Sequence, residues 1–143
     1  MDVVIVHCLI ILLSSLRAKS YSGYYIGVNV NLNWTDANLY CEEWYNTTLA
    51  TILSSNDNTA VRTAATNAGI STTSEIWIGL SDKAAEDTWV WEDGTSNTSY
   101  QPWYPNEPNH SGDCARQYQY SSGNLWDDTG CNEVQPFVCN DGE

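Results

Sequence analysis

The chain has 143 residues, with 18 acidic against 5 basic side chains and a formal net charge of −13. That length suits one domain with a buried core. The acidity repels phosphate backbones and anionic lipid, which excludes nucleic acid and anionic membranes as natural partners.

Val3 to Leu13 is an apolar run followed by small residues and Ala18-Lys19-Ser20. This predicts a secretory signal over residues 1–20 and a mature, extracellular domain over 21–143. Asp2 stands where such signals usually carry a positive charge. The run is too short to span a bilayer, so no membrane insertion is expected. Removing Asp2, Arg17 and Lys19 with the signal leaves 3 basic and 17 acidic residues, a net of −14. Cys8 leaves too, and Cys41, Cys114, Cys131 and Cys139 remain. An even set in a secreted chain predicts two disulfides, with three pairings open.

The mature segment opens on "YYIGVNV" (24–30), which reads as an edge strand. Thr35 is a cap for a helix from Asp36, in which Ala37, Tyr40, Cys41 and Trp44 share an apolar face. "LATI" (49–52) reads as a short strand. A second helix is expected over about Asn56–Ala68, capped by Ser55, stopped by Gly69, and facing inward through Val61, Ala64, Ala65 and Ala68. Then come strand-like runs at Ile76–Leu80, Thr88–Trp91, Cys114–Tyr120 and Phe137–Cys139, separated by turn formers. Helices first and antiparallel strands afterwards make an α+β pattern. Ser81 to Asp113 is a long loop, and the aromatics of "TWVW" and "SYQPWY" predict that it is anchored.

Catalytic chemistry has no candidate. His110 is the one histidine of the mature segment, so neither a zinc cluster nor a Ser-His pair with a third partner can be drawn. Trp77, Trp91, Trp103 and Trp126 read as core and loop anchors. Tyr104 and His110 are the better candidates for direct ligand contact.

Cys41, "WIGL" (77–80), "WEDG" (91–94), "EPN" (107–109), Cys114, "WDD" (126–128), Cys131 and Cys139 follow one another in an order that resembles the C-type lectin domain, from about Tyr24 to Cys139. The resemblance implies that fold, in its short form, with two helices, antiparallel strands, a long calcium-binding loop region and disulfides Cys41–Cys139 and Cys114–Cys131. It implies a cis peptide before Pro108 that aims Glu107 and Asn109 at one point. Asp127 and Asp128 would close the shell around calcium, which favours oxygen ligands. Two vicinal sugar hydroxyls would then bind the same four residues, Glu107, Asn109, Asp127 and Asp128. The acid-then-amide order is that of mannose-type members; galactose-type members carry Gln-Pro-Asp, and galactose stays open.

Two departures bear on that expectation. Asp127 stands where the family has asparagine, so it accepts but cannot donate. The segment from Asn109 to Cys114 is shortened, and Gly112 occupies the place of a further glutamate, with Asp113 as the nearby acid available as a fifth ligand. Asp82 and Glu86 match the spacing of a second calcium position, which Asp113 would complete; the same acids also read as a solvated loop. Sequons at Asn33, Asn46, Asn97 and Asn109 are glycosylation candidates. The expected function is a secreted lectin for microbial or cell-surface glycans, with any homo-oligomer built through the domain itself. The rival expectation is an interaction protein of the same fold that binds protein, mineral or ice.

Overall fold

The structure, a computed structural model, describes residues 20–21, 24–120 and 123–142. The predicted signal, Ser20 excepted, lies outside the described residues. Among the described residues, seven strands, β1 (Ser20–Tyr21), β2 (Tyr25–Leu32), β3 (Ile76–Ser81), β4 (Val90–Trp91), β5 (Cys114–Tyr120), β6 (Gly123–Thr129) and β7 (Gln135–Asn140), accompany helices α1 (Trp34–Tyr45) and α2 (Ser55–Asn67). They form one sheet in the order β1-β2-β7-β3-β5-β6, with β4 on β3. The β3–β7 pair is parallel, Trp77 beside Phe137, so the sheet is mixed. On its outer side β2 pairs with the two-residue β1.

The apolar run of β3 follows from burial on both faces, as central strands require. Ile76, Ile78 and Leu80 enter the core that contains Val61, Ala64 and Ala65 of α2, whereas Trp77 enters the core containing Trp34, Ala37 and Cys41 of α1. Gly27 of β2 permits the close approach of α2: a side chain there would overlap the Ala64 carbonyl.

Several local expectations shift by a residue or more. Asn33, not Thr35, caps α1, its Oδ1 accepting from Asp36 N at 2.9 Å. The earlier start lets Trp34 enter the core and donate its indole N–H to Ile78 O at 2.9 Å. The buried face is therefore Trp34, Ala37, Asn38 and Cys41, and Trp44 is 42% exposed. Ser54, not Ser55, caps α2 by accepting from Asp57 N at 3.1 Å, while Asp57 accepts from Leu53 N at 3.0 Å. Gly69, at φ +85°, ends the helix as expected. "LATI" makes a single bridge, Leu49 to Cys139, and of "TWVW" only Val90 and Trp91 pair.

The disulfides are Cys41–Cys139 and Cys114–Cys131, with Cα separations of 5.6 and 5.2 Å. The first ties α1 to β7. The second ties the start of β5 to the turn after β6, beside the long loop.

A buried polar hub joins α2 to the β5–β6 hairpin. Gln117 Nε2 donates to Asn58 Oδ1 at 2.7 Å, Trp126 Nε1 donates to the same oxygen at 2.9 Å, and Arg62 Nε donates to Gln117 Oε1 at 3.1 Å. Asn58 returns a bond to Asn124 O at 2.7 Å. Burial holds the Arg62 guanidinium down to about 10, against the pull of Glu75.

Candidate functional site

Backbone bonds lay the long loop along β6. Trp126 N donates to Pro102 O at 2.9 Å and Tyr104 N to Trp126 O at 2.8 Å. The buried Trp126 indole meets Trp91, Tyr100 and Trp103 edge-on at centroid distances of 5.7, 5.9 and 5.9 Å. Glu107 N then closes a turn onto Tyr104 O at 2.9 Å. The peptide between Glu107 and Pro108 is cis.

This turn brings three of the expected ligands together. Asn109 Nδ2 donates to Glu107 Oε1 at 2.9 Å, and Asn109 N donates to Asp128 Oδ1 at 2.8 Å, across 19 residues. Asp128, 3% exposed, also accepts from Gly112 N at 3.2 Å. Ser111 hydroxyl donates to Asp128 O at 2.6 Å. Burial, a hydrogen bond with Asp128 and the charges of Asp128 and Asp127 push Glu107 up to about 7. Asp128 moves down: burial opposes its charge, but the bonds from Glu107, Asn109 and Gly112 outweigh it.

Asp127 is placed differently. Its Oδ1 accepts from Arg116 Nε at 2.8 Å and its Oδ2 from Arg116 Nη2 at 3.1 Å. The pair sits directly across the β5–β6 ladder. Arg116 Nη1 also reaches Glu133 at 3.2 Å. Burial alone would lower the guanidinium, and the bond to Asp127 more than reverses that.

The shortened segment leaves no space for a side chain at 112. A Cβ on Gly112 would overlap the Thr129 carbonyl and Gly130 N. Where the family resemblance implies a glutamate, this chain places a main-chain N–H against Asp128.

The second group of acids lies beside the first. Asp82 is 3% exposed, one oxygen accepting from Asp87 N at 2.9 Å while the other, Oδ1, is buried without a hydrogen-bond partner among the described residues. Burial raises its pKa, with Glu86 and Asp113 adding to it. Glu86 is drawn instead to His110, whose Nδ1 lies 2.8 Å from Glu86 Oε1 and 3.5 Å from Asp87 Oδ1. Asp113 is exposed, and its carbonyl accepts from Asp82 N at 3.0 Å. Of the two contact candidates, His110 thus bridges to the acidic loop, and Tyr104 stacks on Tyr120 at 4.1 Å.

The donor set around Glu107, Asn109 and Asp128 is all oxygen and carries two carboxylates, one of which, Glu107, is pushed up to about 7 by burial and by the neighbouring acids. That chemistry fits a hard divalent cation such as calcium. The orphaned Asp82 oxygen fits a cation as well. Among the sequons, Asn46, Asn97 and Asn109 are exposed and Asn33 is half-buried; Asn33 donates its amide to Asp36 at 3.0 Å and Asn109 donates its own to Glu107 at 2.9 Å. Sequence reasoning missed Arg116: nothing local marks it, and only the strand register sets it opposite Asp127.

Two helices and a mixed sheet, two disulfides and a carboxylate–amide turn facing a strand acid are the architecture of a lectin-type domain. Residues 30–141 match the family model described as the Lectin C-type domain, and the chain belongs to that family. A "C-type lectin mannose-binding isoform" of Oxyuranus scutellatus is 31% identical over 114 residues, covering 78% of this chain and 72% of that one. The solved structure of human lithostathine superposes with a TM-score of 0.74 at 27% identity, covering 84% of each chain. A Ca2+-dependent type II antifreeze protein in its Ca2+-free form superposes with a TM-score of 0.72 at 26% identity, covering 84% of this chain and 93% of that one.

Proposed function

We propose that this chain is a secreted, calcium-dependent carbohydrate-binding domain of mannose-type preference. The observation that carries the reading is the convergence of Glu107 and Asn109 with Asp128, 19 residues on from Asn109, with Glu107 pushed up to about 7 by burial and the neighbouring acids. Calcium, when bound, supplies a centre to which two vicinal hydroxyls add as further oxygen ligands. Glu107 accepts a hydrogen bond from one hydroxyl, and Asn109 Nδ2 donates one to a hydroxyl oxygen. The acid-then-amide order, and the mannose-binding name of the Oxyuranus scutellatus relative, support mannose over galactose.

Asp127 and Asp113 stand at the edge of this set. Asp82, with its orphaned oxygen, and Glu86 form a second cation position, for which Glu86 must leave His110. Asn46 and Asn97 are the sequons that carry glycan. A single shallow sugar site binds weakly, so useful avidity comes from assembled copies or dense glycans. Microbial and cell-surface glycans supply that density.

Affinity on mannose- and galactose-agarose in millimolar calcium, followed by EDTA, tests the reading. Retention on mannose with release by chelator supports it. Retention on galactose alone keeps the lectin and overturns the preference. Exchanging Glu107→Gln with Asn109→Asp should weaken mannose retention in favour of galactose.

A second reading has its own observations. The engagement of Asp127 by Arg116 and the lack of a side chain at Gly112 thin the calcium shell. The antifreeze neighbour has the same architecture. On this reading the domain binds protein, mineral or ice, and flow-through on both resins would favour it.

A further inference from the structure

Resting on the calcium reading above, we infer that Arg116 is a positioning residue that withdraws Asp127 from the coordination set and thereby fixes how many protein oxygens the cation meets. The family resemblance implies an amide at position 127, and this chain has an acid there. An acid at that point adds a third negative charge beside Glu107 and Asp128, a cost that rises as the group is desolvated. Arg116 answers it from the adjacent strand. The two side chains face each other in direct register, 18% and 15% exposed, and the guanidinium takes one carboxylate oxygen with Nε and the other with Nη2, at 2.8 and 3.1 Å. This two-point fork matches carboxylate geometry in a way that a lysine ammonium cannot. Glu133, bonded to Nη1 at 3.2 Å, steadies the guanidinium from its far side.

Asp127 is the counter-ion of Arg116, and the cation is left to Glu107, Asn109 and Asp128. A site with fewer protein ligands keeps more positions for water or hydroxyl oxygen, so the pair also bears on how a sugar is seated. The alternative assignment is that Asp127 coordinates and Arg116 merely orients it, as outer-shell partners do. The two assignments predict opposite signs.

The test is calcium titration by calorimetry on the secreted wild type, Arg116→Met, Asp127→Asn and the double variant, with Arg116→Lys as the charge-conserving member. Arg116→Met removes a positive charge in both backgrounds, so that general effect cancels in the cycle. The expected result is that Arg116→Met tightens calcium at least about threefold more in the wild-type background than in the Asp127→Asn background, because a freed carboxylate binds the cation more strongly than a neutral amide does. Arg116→Lys should tighten it in the same direction at unchanged charge, and it carries the test if the Met variant fails to fold. A fall of roughly ten- to a hundredfold in Arg116→Met, the ordinary loss when a ligand's orienting partner is removed, would overturn the inference. So would equal effects in the two backgrounds. If the wild type binds no calcium, the preceding functional reading fails on its own. The pair is then judged by thermal unfolding of the same four proteins, where coupled melting temperatures support the ion pair and additive ones overturn it.

Discussion

The main-chain N–H of Asn109 donates to Asp128 Oδ1 at 2.8 Å, and so couples the loop turn to strand β6 with one bond across 19 residues. Both ends of that bond belong to the proposed calcium set. On that proposal Asp128 is both a ligand and the acceptor that shapes the ligand turn.

If the site binds calcium as proposed, calcium should raise the melting temperature of the wild type, and replacing Asp128 by Ala should abolish that rise. It should also destabilise the calcium-free protein by about 1–2 kcal/mol, since Gly112 N loses its acceptor and Asn109 N keeps only Glu107. Urea unfolding with and without calcium separates the two effects. A variant with an intact calcium shift would remove Asp128 from the site.

Proton and calcium should compete at Glu107. Its folded pKa is raised from 4.5 to about 7, so its contribution to stability is full below about pH 4.5 and is lost as pH rises through about 7. The calcium-free protein should thus lose stability between about pH 5 and 8, and calcium should restore it most at the upper end. His110 and Asp82 are also raised and act in the same direction; Asp128 is lowered and has finished titrating below this window. Melting temperatures of wild type and Glu107→Gln across that range isolate the Glu107 share. An unchanged pH slope in the variant would assign the effect elsewhere.

Gly112→Ala should destabilise the protein by about 1–3 kcal/mol, as overpacking against backbone does. The new Cβ meets the Thr129 carbonyl and Gly130 N, neither of which can rotate aside. Gly112→Glu should suffer the same penalty and gain no calcium affinity, although it restores the family's residue type. Chemical denaturation and calcium titration of both variants check this; a tighter-binding Gly112→Glu would show that the segment can relax.

Asn58→Ala should cost about 2–4 kcal/mol by urea unfolding. It leaves the buried Gln117 Nε2 and Trp126 Nε1 donors without their shared Oδ1 acceptor, and each orphaned group costs about 1–3 kcal/mol, less what Gln117 recovers from Asn58 O. Because Trp126 precedes Asp127 and Asp128, calcium affinity should fall as well. Stability within about 0.5 kcal/mol of wild type, what an ordinary surface substitution costs, would refute the hub.

The sequence by itself determined the α+β class, the positions of both helices to within a few residues, the cysteine-bearing strands and the Glu107-Pro108-Asn109 turn. These rest on local signals: side-chain periodicity, turn formers and the order of eight motifs along the chain. Cap positions slipped because Asn33 and Ser54 compete with Thr35 and Ser55 on equal chemical terms, and burial of Trp34 and the Asp57–Leu53 bond broke the tie. The tertiary structure alone decided what the site's acids face. Nothing near Asp127 in the chain announces Arg116; the β5–β6 register puts the guanidinium there. Nothing in "HSGDC" tells that position 112 has no room, because the obstruction is the backbone of residues 129 and 130. Charge partners and close approaches are pairwise distances between remote segments, and only the packed chain sets those distances.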